Sequence, residues 1–465
     1  MSGNFAGLIE AVARRRPDHP ALRWDGGAMT YRSLATAVAE FAEHLVARGV
    51  RPGQRVALSI PNRPDFVVAL LGGLTAGATV APLDVLLKDD ERAAIVADLE
   101  PALVVEAGIG GDLMEHLLPG ARPASPGPAL VLYTSGSTGR PKGSLLSHAA
   151  LTFANRSWAE PVMGLREQDV VLAALPLAHS FGLNGALLAP LLTGATVRLV
   201  ERFVPDAVQT VLEHDGVTVL PAVATMFRRL LDCGFAGAPT LRLAVSGAAP
   251  CPWDLAAAWR ARTDVRIVRG YGMTELFRPL SYLAAEPADH PECVGRPVPG
   301  VEIRVVDDEG RAVASGETGE LLIRTPAALD GYLGSPEDTR AVLRDGWFHT
   351  GDLARLTPDG YVAIAGRKRE RILRGGYSIF PAEVETVLQA HPDVLEAAVV
   401  PMPHTELGED VAAYVALRPD ATAGPDDLIA WCRERLAAFK YPRRVTLVDA
   451  LPRSATGKVL KAQLR

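Results

Sequence analysis

Several features that mark broad protein classes are scarce in this chain. It holds four cysteines in 465 residues (Cys233, Cys251, Cys293 and Cys432), and no two form a CxxC pair. That spacing argues against a zinc cluster or a disulfide framework and fits a reducing cytoplasm. Basic charge is not in excess: 48 lysines and arginines face 54 acids, for a net charge of −6. No basic field is available for nucleic acid as a main partner, and Arg14-Arg15-Arg16 reads as a solvated helix end. Long apolar runs are missing too. The most hydrophobic stretch, Phe66 to Leu83, is interrupted by Gly72, Gly73, Thr75, Gly77 and Thr79, which suits a buried helix-to-strand passage better than a membrane span. The N-terminus places its charges after a mixed segment, the reverse of a secretory signal.

What is present is a globular composition, 48% hydrophobic with 22% charged residues, long enough for about three units of ordinary domain size. Apolar residues recur at helical spacing over Phe5 to Arg15 and again from Thr30-Tyr31 through Leu45. Short β-branched runs follow at Val56–Ile60, Thr79–Pro82, Leu103–Val105, Ala129–Leu132, Val170–Ala173, Ala195–Val200, Val217–Leu220 and Leu241–Val245. Their alternation with helical segments predicts a layered α/β fold with parallel strands. From Val301 to Tyr361 short runs between Gly, Pro and Asp turns predict a small β unit. A charged run, Arg367 to Arg371, then precedes roughly 100 residues, enough for a compact α+β domain. The expected division is a large domain over 1–366 and a small mobile one over 367–465.

The chain is organised around Tyr133 to Gly143, YTSGSTGRPKG. A strand-like run precedes it, and Ser147 is placed to cap a helix beginning near Ala149. Gly136 and Gly139 let backbone N–H groups crowd an anion, Thr134, Ser135, Ser137 and Thr138 add donors, and Lys142 adds a compact positive charge. The stretch is suited to phosphates, yet Pro141-Lys142-Gly143 is not the Gly-Lys-Ser/Thr of a Walker loop. Further loops follow strand-like runs. Ser246-Gly247-Ala248-Ala249 offers small residues where a flat base could lie against backbone. Gly270-Tyr271-Gly272-Met273-Thr274-Glu275 presents an aromatic face, a hydroxyl and a carboxylate. A carboxylate beside phosphates is repelled unless a cation lies between them, so Glu275 is expected to hold Mg²⁺. Asp352, after Gly351, could accept the hydroxyls of a ribose, and Gly457-Lys458 sets a lone lysine on a glycine turn.

Together and in this order these stretches resemble the adenylate-forming superfamily of acyl-CoA synthetases, luciferases and peptide-synthetase adenylation domains, over essentially the whole chain. The resemblance implies an AMP-forming acid–thiol ligase that uses ATP, Mg²⁺ and coenzyme A. A carboxylate displaces pyrophosphate to form an acyl-adenylate, and a thiol then takes the acyl group. It further implies that Thr134 to Gly139 and Lys142 contact phosphates, that Gly247, Ala248 and Ala249 pack on adenine beneath Tyr271 and beside Gly272, and that Thr274 meets the α-phosphate. Asp352 and Arg367 match the ribose contacts, and Lys458 the lysine that enters for adenylation. Arg369 falls at the hinge, and Arg374, Gly375 and Gly376 lie along the pantetheine arm. His179, Phe181 and Gly182 match the acyl-pocket segment, with Thr225, Met226 and Phe227 as further wall residues. Arg278 is unusual: it pairs either with a second carboxylate on the substrate or with an acid such as Glu286. Two other functions stay open at this level, an adenylating enzyme that passes its acyl group to a carrier protein or amine, and a non-catalytic nucleotide-binding relative.

Overall fold

The computed structural model describes residues 4–108, 111–118, 127–135, 141–286, 290–375, 377–453 and 459–464. Packing divides the chain into two units, one formed by residues 1–302 and 323–348, the other by 303–322 and 349–465. Residues 349–366, read from sequence as part of the segment before the charged linker, belong by contact to the second unit.

The first unit is built on two seven-stranded sheets. One orders the strands Ile267–Val268, Leu243–Ser246, Val219–Ala222, Val170–Ala173, Thr196–Leu199, Pro20–Trp24 and Gly27–Thr30. All are parallel except the last, which closes a hairpin that the sequence pattern did not reveal. The second sheet carries Leu103–Glu106, Arg55–Ser59, Thr79–Pro82 and Leu130–Ser135 in parallel, with Met114–Leu117 antiparallel at one edge and Pro141–Leu146 followed by Gly331–Tyr332 antiparallel at the other. Parallel strands are buried on both faces, and this is why their sequences read as continuous apolar runs. Helices cover them. Phe5–Arg15 buries Phe5, Ile9 and Val12 on one stripe, with Asn4 capping its start, and Tyr31–Ala47 is capped by Thr30. A core beneath the first sheet gathers Phe227, Phe235 and Trp259, the Phe227 ring meeting Trp259 edge-on at 4.9 Å.

One expectation is corrected near the centre of the chain. The phosphate-type stretch does not lead from a strand straight to a helix: Pro141–Leu146 is itself a strand, paired antiparallel with Leu130–Ser135. The described ends of the stretch are therefore paired strands, and the helix His148–Ser157 starts only after the second of them, capped by Ser147 as expected. Gly182–Leu188 winds as π-type turns before becoming an ordinary helix at Ala189–Thr193.

The second unit contains the sheet Tyr377–Ile379, Ile372–Arg374, Gly408–Leu417 and Val394–His404, with Arg444–Leu447 beside Gly408–Leu417. The helices Pro381–Gln389 and Pro425–Arg435 supply Val384, Leu388, Leu428 and Cys432 to its core. Among the described residues no helix is long and apolar enough to cross a membrane.

Candidate active site

In the first unit, the strand register sets Thr134 opposite Lys142, near the facing ends of Leu130–Ser135 and Pro141–Leu146. The ammonium of Lys142 lies 2.8 Å from Asp338 and 5.6 Å from the centre of the Tyr332 ring. The hydrogen bond from Lys142, with another from the Ser335 hydroxyl, holds the Asp338 carboxyl below the usual carboxylate range. Tyr332 in turn donates its hydroxyl to Glu275 Oε1 at 2.9 Å. Burial and the adjacent Glu275 charge push the Tyr332 phenol up, so it stays protonated and remains a donor. One phenol ring thus links the lysine of the phosphate hairpin to the carboxylate expected to hold the metal, and nothing in the sequence motifs points to Tyr332.

Glu275 suits Mg²⁺ in its chemistry. It is a hard oxygen donor, half-buried, with one oxygen fixed by Tyr332 and no ion-pair partner among the described residues. No cluster of three or more acid, His or Cys ligands occurs among the described residues. Mg²⁺ is commonly held by one or two carboxylates plus substrate phosphates, so a single carboxylate fits that ion better than it fits one needing a protein cage. The backbone around Glu275 is tightly drawn. A Cβ on Gly272 would fall 2.0 Å from the Phe277 carbonyl oxygen, and Phe277 itself has a φ of 56°. Ala248, in the segment matched to adenine, also takes a left-handed φ of 64°. Non-glycine residues in this region carry strain that tends to gather at functional sites.

The segment matched to the acyl pocket is held by Asn62. Asn62, buried, donates from Nδ2 to the Leu175 carbonyl at 2.8 Å and accepts from the Leu177 N–H at 2.9 Å. The turn that follows closes only because position 182 is glycine, since a Cβ there would sit 2.3 Å from the Pro176 carbonyl oxygen. His179, half-exposed, donates from Nε2 to Asp84 Oδ2 at 2.7 Å. Burial raises the Asp84 carboxyl, but the bonds from His179 and from the Leu86 N–H outweigh it and hold the group low. An ionised carboxylate can only accept, so Nε2 carries the proton of this bond. Phe181 stacks on Trp158 with centroids 5.4 Å apart. Met226 and Phe227 lie buried in the hydrophobic core, against which Phe181 also packs, whereas Thr225 is exposed.

Arg278 departs from one of its two expected roles. Glu286 pairs with Arg296 at 2.8 Å and not with Arg278. The Arg278 guanidinium is buried, 6% exposed, and donates to Ser281 Oγ, the Ser246 carbonyl and the Val268 carbonyl.

In the second unit, Asp352 and Arg367 face each other on adjacent strands, with Nε 3.1 Å from Oδ1. Arg374 donates to the buried Asp410 at 2.7 Å, and Gly375 takes a φ of 55° at the tip of its hairpin. Arg369 is exposed within the short helical turn Lys368–Glu370. Gly136 to Gly139, Gly376 and Lys458 lie outside the described residues.

Comparison with known proteins places these elements in context. The family described as AMP-binding enzyme matches residues 9–119 and 114–333, and its C-terminal domain matches 383–458. A feruloyl-CoA synthase from an Amycolatopsis species is 36% identical over 476 residues, covering 97% of this chain and 96% of that protein. Among solved structures, ATP-bound MatB from Rhodopseudomonas palustris superposes with a TM-score of 0.91 at 30% identity, over 99% of this chain and 98% of that one. The o-succinylbenzoate CoA synthetase of Bacillus subtilis, in complex with its acyl-adenylate intermediate, reaches a TM-score of 0.88 at 29% identity, over 98% and 97% of the two chains.

Proposed function

From the premise that this chain belongs to the AMP-binding enzyme family, we propose that it is an ATP-dependent carboxylic acid–CoA ligase working through an acyl-adenylate. The observation that carries the reading is the contact made by Tyr332, which has Lys142 over its ring and the Glu275 carboxylate at its hydroxyl.

In the first half-reaction a carboxylate oxygen of the acid attacks the α-phosphorus of ATP. The bond to the bridging oxygen breaks, and pyrophosphate leaves. Lys142 and the hairpin hydroxyls hold the leaving phosphates, and Thr274 meets the α-phosphate. Glu275 would hold Mg²⁺, which supplies charge neutralisation at the phosphates. Ala248 and Tyr271 receive the adenine, while Asp352 and Arg367 receive the ribose. Lys458 neutralises charge gathering between the two anions, an electrostatic task for a preplaced cation. In the second half-reaction the CoA thiol attacks the acyl carbonyl, AMP leaves, and the thiol proton passes to solvent. Arg374 to Gly376 line the path of the thiol arm, and residues from 367 onward turn about Arg369 between the two steps. The reaction runs in the cytoplasm, a compartment consistent with four cysteines that form no disulfide.

ATP–pyrophosphate exchange over a panel of carboxylic acids tests the first step, and thioester formation with free CoA against a phosphopantetheinylated carrier protein tests the second. Absence of exchange with every acid would refute the assignment.

A further inference from the structure

Buried cations ordinarily meet an acid. Removing a guanidinium from water costs several kcal/mol, and only pairing with good geometry offsets that cost. Arg278 is 6% exposed, and among the described residues no carboxylate forms an ion pair with it. Its protein acceptors are all neutral: Ser281 Oγ at 2.9 Å from Nε, the Ser246 carbonyl at 2.8 Å from one terminal nitrogen and the Val268 carbonyl at 3.3 Å from the other. A guanidinium has five donors. Those three bonds leave one N–H on each terminal nitrogen without a protein acceptor among the described residues, while the group keeps its full charge.

The location is informative. Ser246 and Val268 end two neighbouring parallel strands, Leu243–Ser246 and Ile267–Val268. Ligands of open α/β sheets bind beyond such carboxyl ends. The flanking positions 247 and 270 are glycines, and the guanidinium packs against both. A Cβ on Gly247 would come within 3.1 Å of the guanidinium and 3.2 Å of the Phe181 ring, and one on Gly270 within 2.3 Å of the guanidinium. Arg278 therefore sits where the acyl-pocket segment, the adenine segment and the Glu275 hairpin converge. Its Cζ lies 4.8 Å from the Trp158 ring, which stacks on Phe181 and makes one aromatic wall of the same place.

We propose that Arg278 reads a second carboxylate on the acyl substrate, so that the acid activated here is a dicarboxylic one. This rests on the ligase reading above. A methionine would fill the same volume without desolvating a charge, so packing alone does not account for an arginine here. Two open N–H groups on a planar fork match the two oxygens of a carboxylate. Burial pushes the Arg278 guanidinium down to about 9, the direction expected of a cation whose anion arrives only with the ligand.

The test compares short and aromatic dicarboxylic acids with their monomethyl esters, which keep the reacting carboxylate and the shape but lose the second charge. In ATP–pyrophosphate exchange the diacids are expected to exceed the esters by roughly 10²-fold in kcat/KM. Arg278→Met is expected to abolish that preference. Arg278→Lys, which keeps the charge and the packing stem but not the fork, should retain only part of it. The wild-type comparison stands even if both variants fail to fold. Equal or better use of the esters would overturn the role of Arg278 while leaving the ligase reading intact. No exchange with any acid would overturn the ligase reading and this inference with it.

Discussion

Replacing Tyr332 with phenylalanine isolates one hydrogen bond in the middle of the site. The bond spans 2.9 Å to Glu275 Oε1, an oxygen of an acidic side chain. Bonds to charged groups contribute about 1.5–3 kcal/mol, and because both residues are half-buried the lower end applies, about 1.5 kcal/mol. Phenylalanine keeps the ring beneath Lys142 and the packing around it. The loss therefore falls on Glu275, whose carboxylate gains rotational freedom at the oxygen that Tyr332 held. At 1.4 kcal/mol per factor of ten, the Mg²⁺ concentration for half-maximal pyrophosphate exchange should rise about tenfold. The assay titrates Mg²⁺ at fixed ATP, alongside a thermal melt to show that the fold is retained. An unchanged Mg²⁺ midpoint in a folded variant would refute the claim that Tyr332 aims Glu275 at the metal.

Three further outcomes follow from other contacts. Lys458→Ala should lower adenylate formation by about 10²–10³, read by pyrophosphate exchange, while sparing thioester formation from supplied acyl-adenylate. Asp84→Asn removes the charge that holds His179 Nε2 at 2.7 Å and should raise KM for the acid several-fold with KM for ATP unchanged, as steady-state kinetics will show. Asp169 is buried and accepts from Arg242, the Thr218 hydroxyl and the Arg166 N–H. Asp169→Asn, which breaks that network from one side, should cost about 3 kcal/mol in urea unfolding at neutral pH. Burial raises the Asp169 carboxyl, but the bonds from Arg242, Thr218 and Arg166 outweigh it and hold the group low. Its stabilising contribution is therefore complete above the unfolded carboxylate pKa and is lost as pH falls through the lower folded value. The gap between wild type and Asp169→Asn should close in acid.

Elements with a regular burial pattern are legible in the order of the residues alone. The helix Phe5–Arg15 and the strands Val170–Ala173 and Thr79–Pro82 lie where periodicity puts them, because burial on one stripe or on both faces leaves its mark on consecutive residues. The strand Pro141–Leu146 left no such mark. It opens with Pro141, Lys142 and Gly143, poor strand formers, and exists because Leu130–Ser135 offers it a partner edge. The π-type turns at Gly182–Leu188 escaped notice for a similar reason, since periodicity fixes an apolar helix but not the hydrogen-bond step within it.

The site divides along the same line. Local order in the chain marked the glycine- and hydroxyl-rich stretch Tyr133 to Gly143, the Thr274–Glu275 pair and the segment around His179, since each is a contiguous run whose chemistry can be read residue by residue. Only the tertiary structure brought Tyr332 to Glu275 across 57 positions, Asp84 to His179 across 95, and Asn62 beneath Leu175 across 113. A hydrogen bond depends on distance and angle in space, and chain separation says nothing of either. Folding likewise removed one of the fates open to Arg278, because burial away from Glu286 is a property of where strands end and not of any neighbour in sequence.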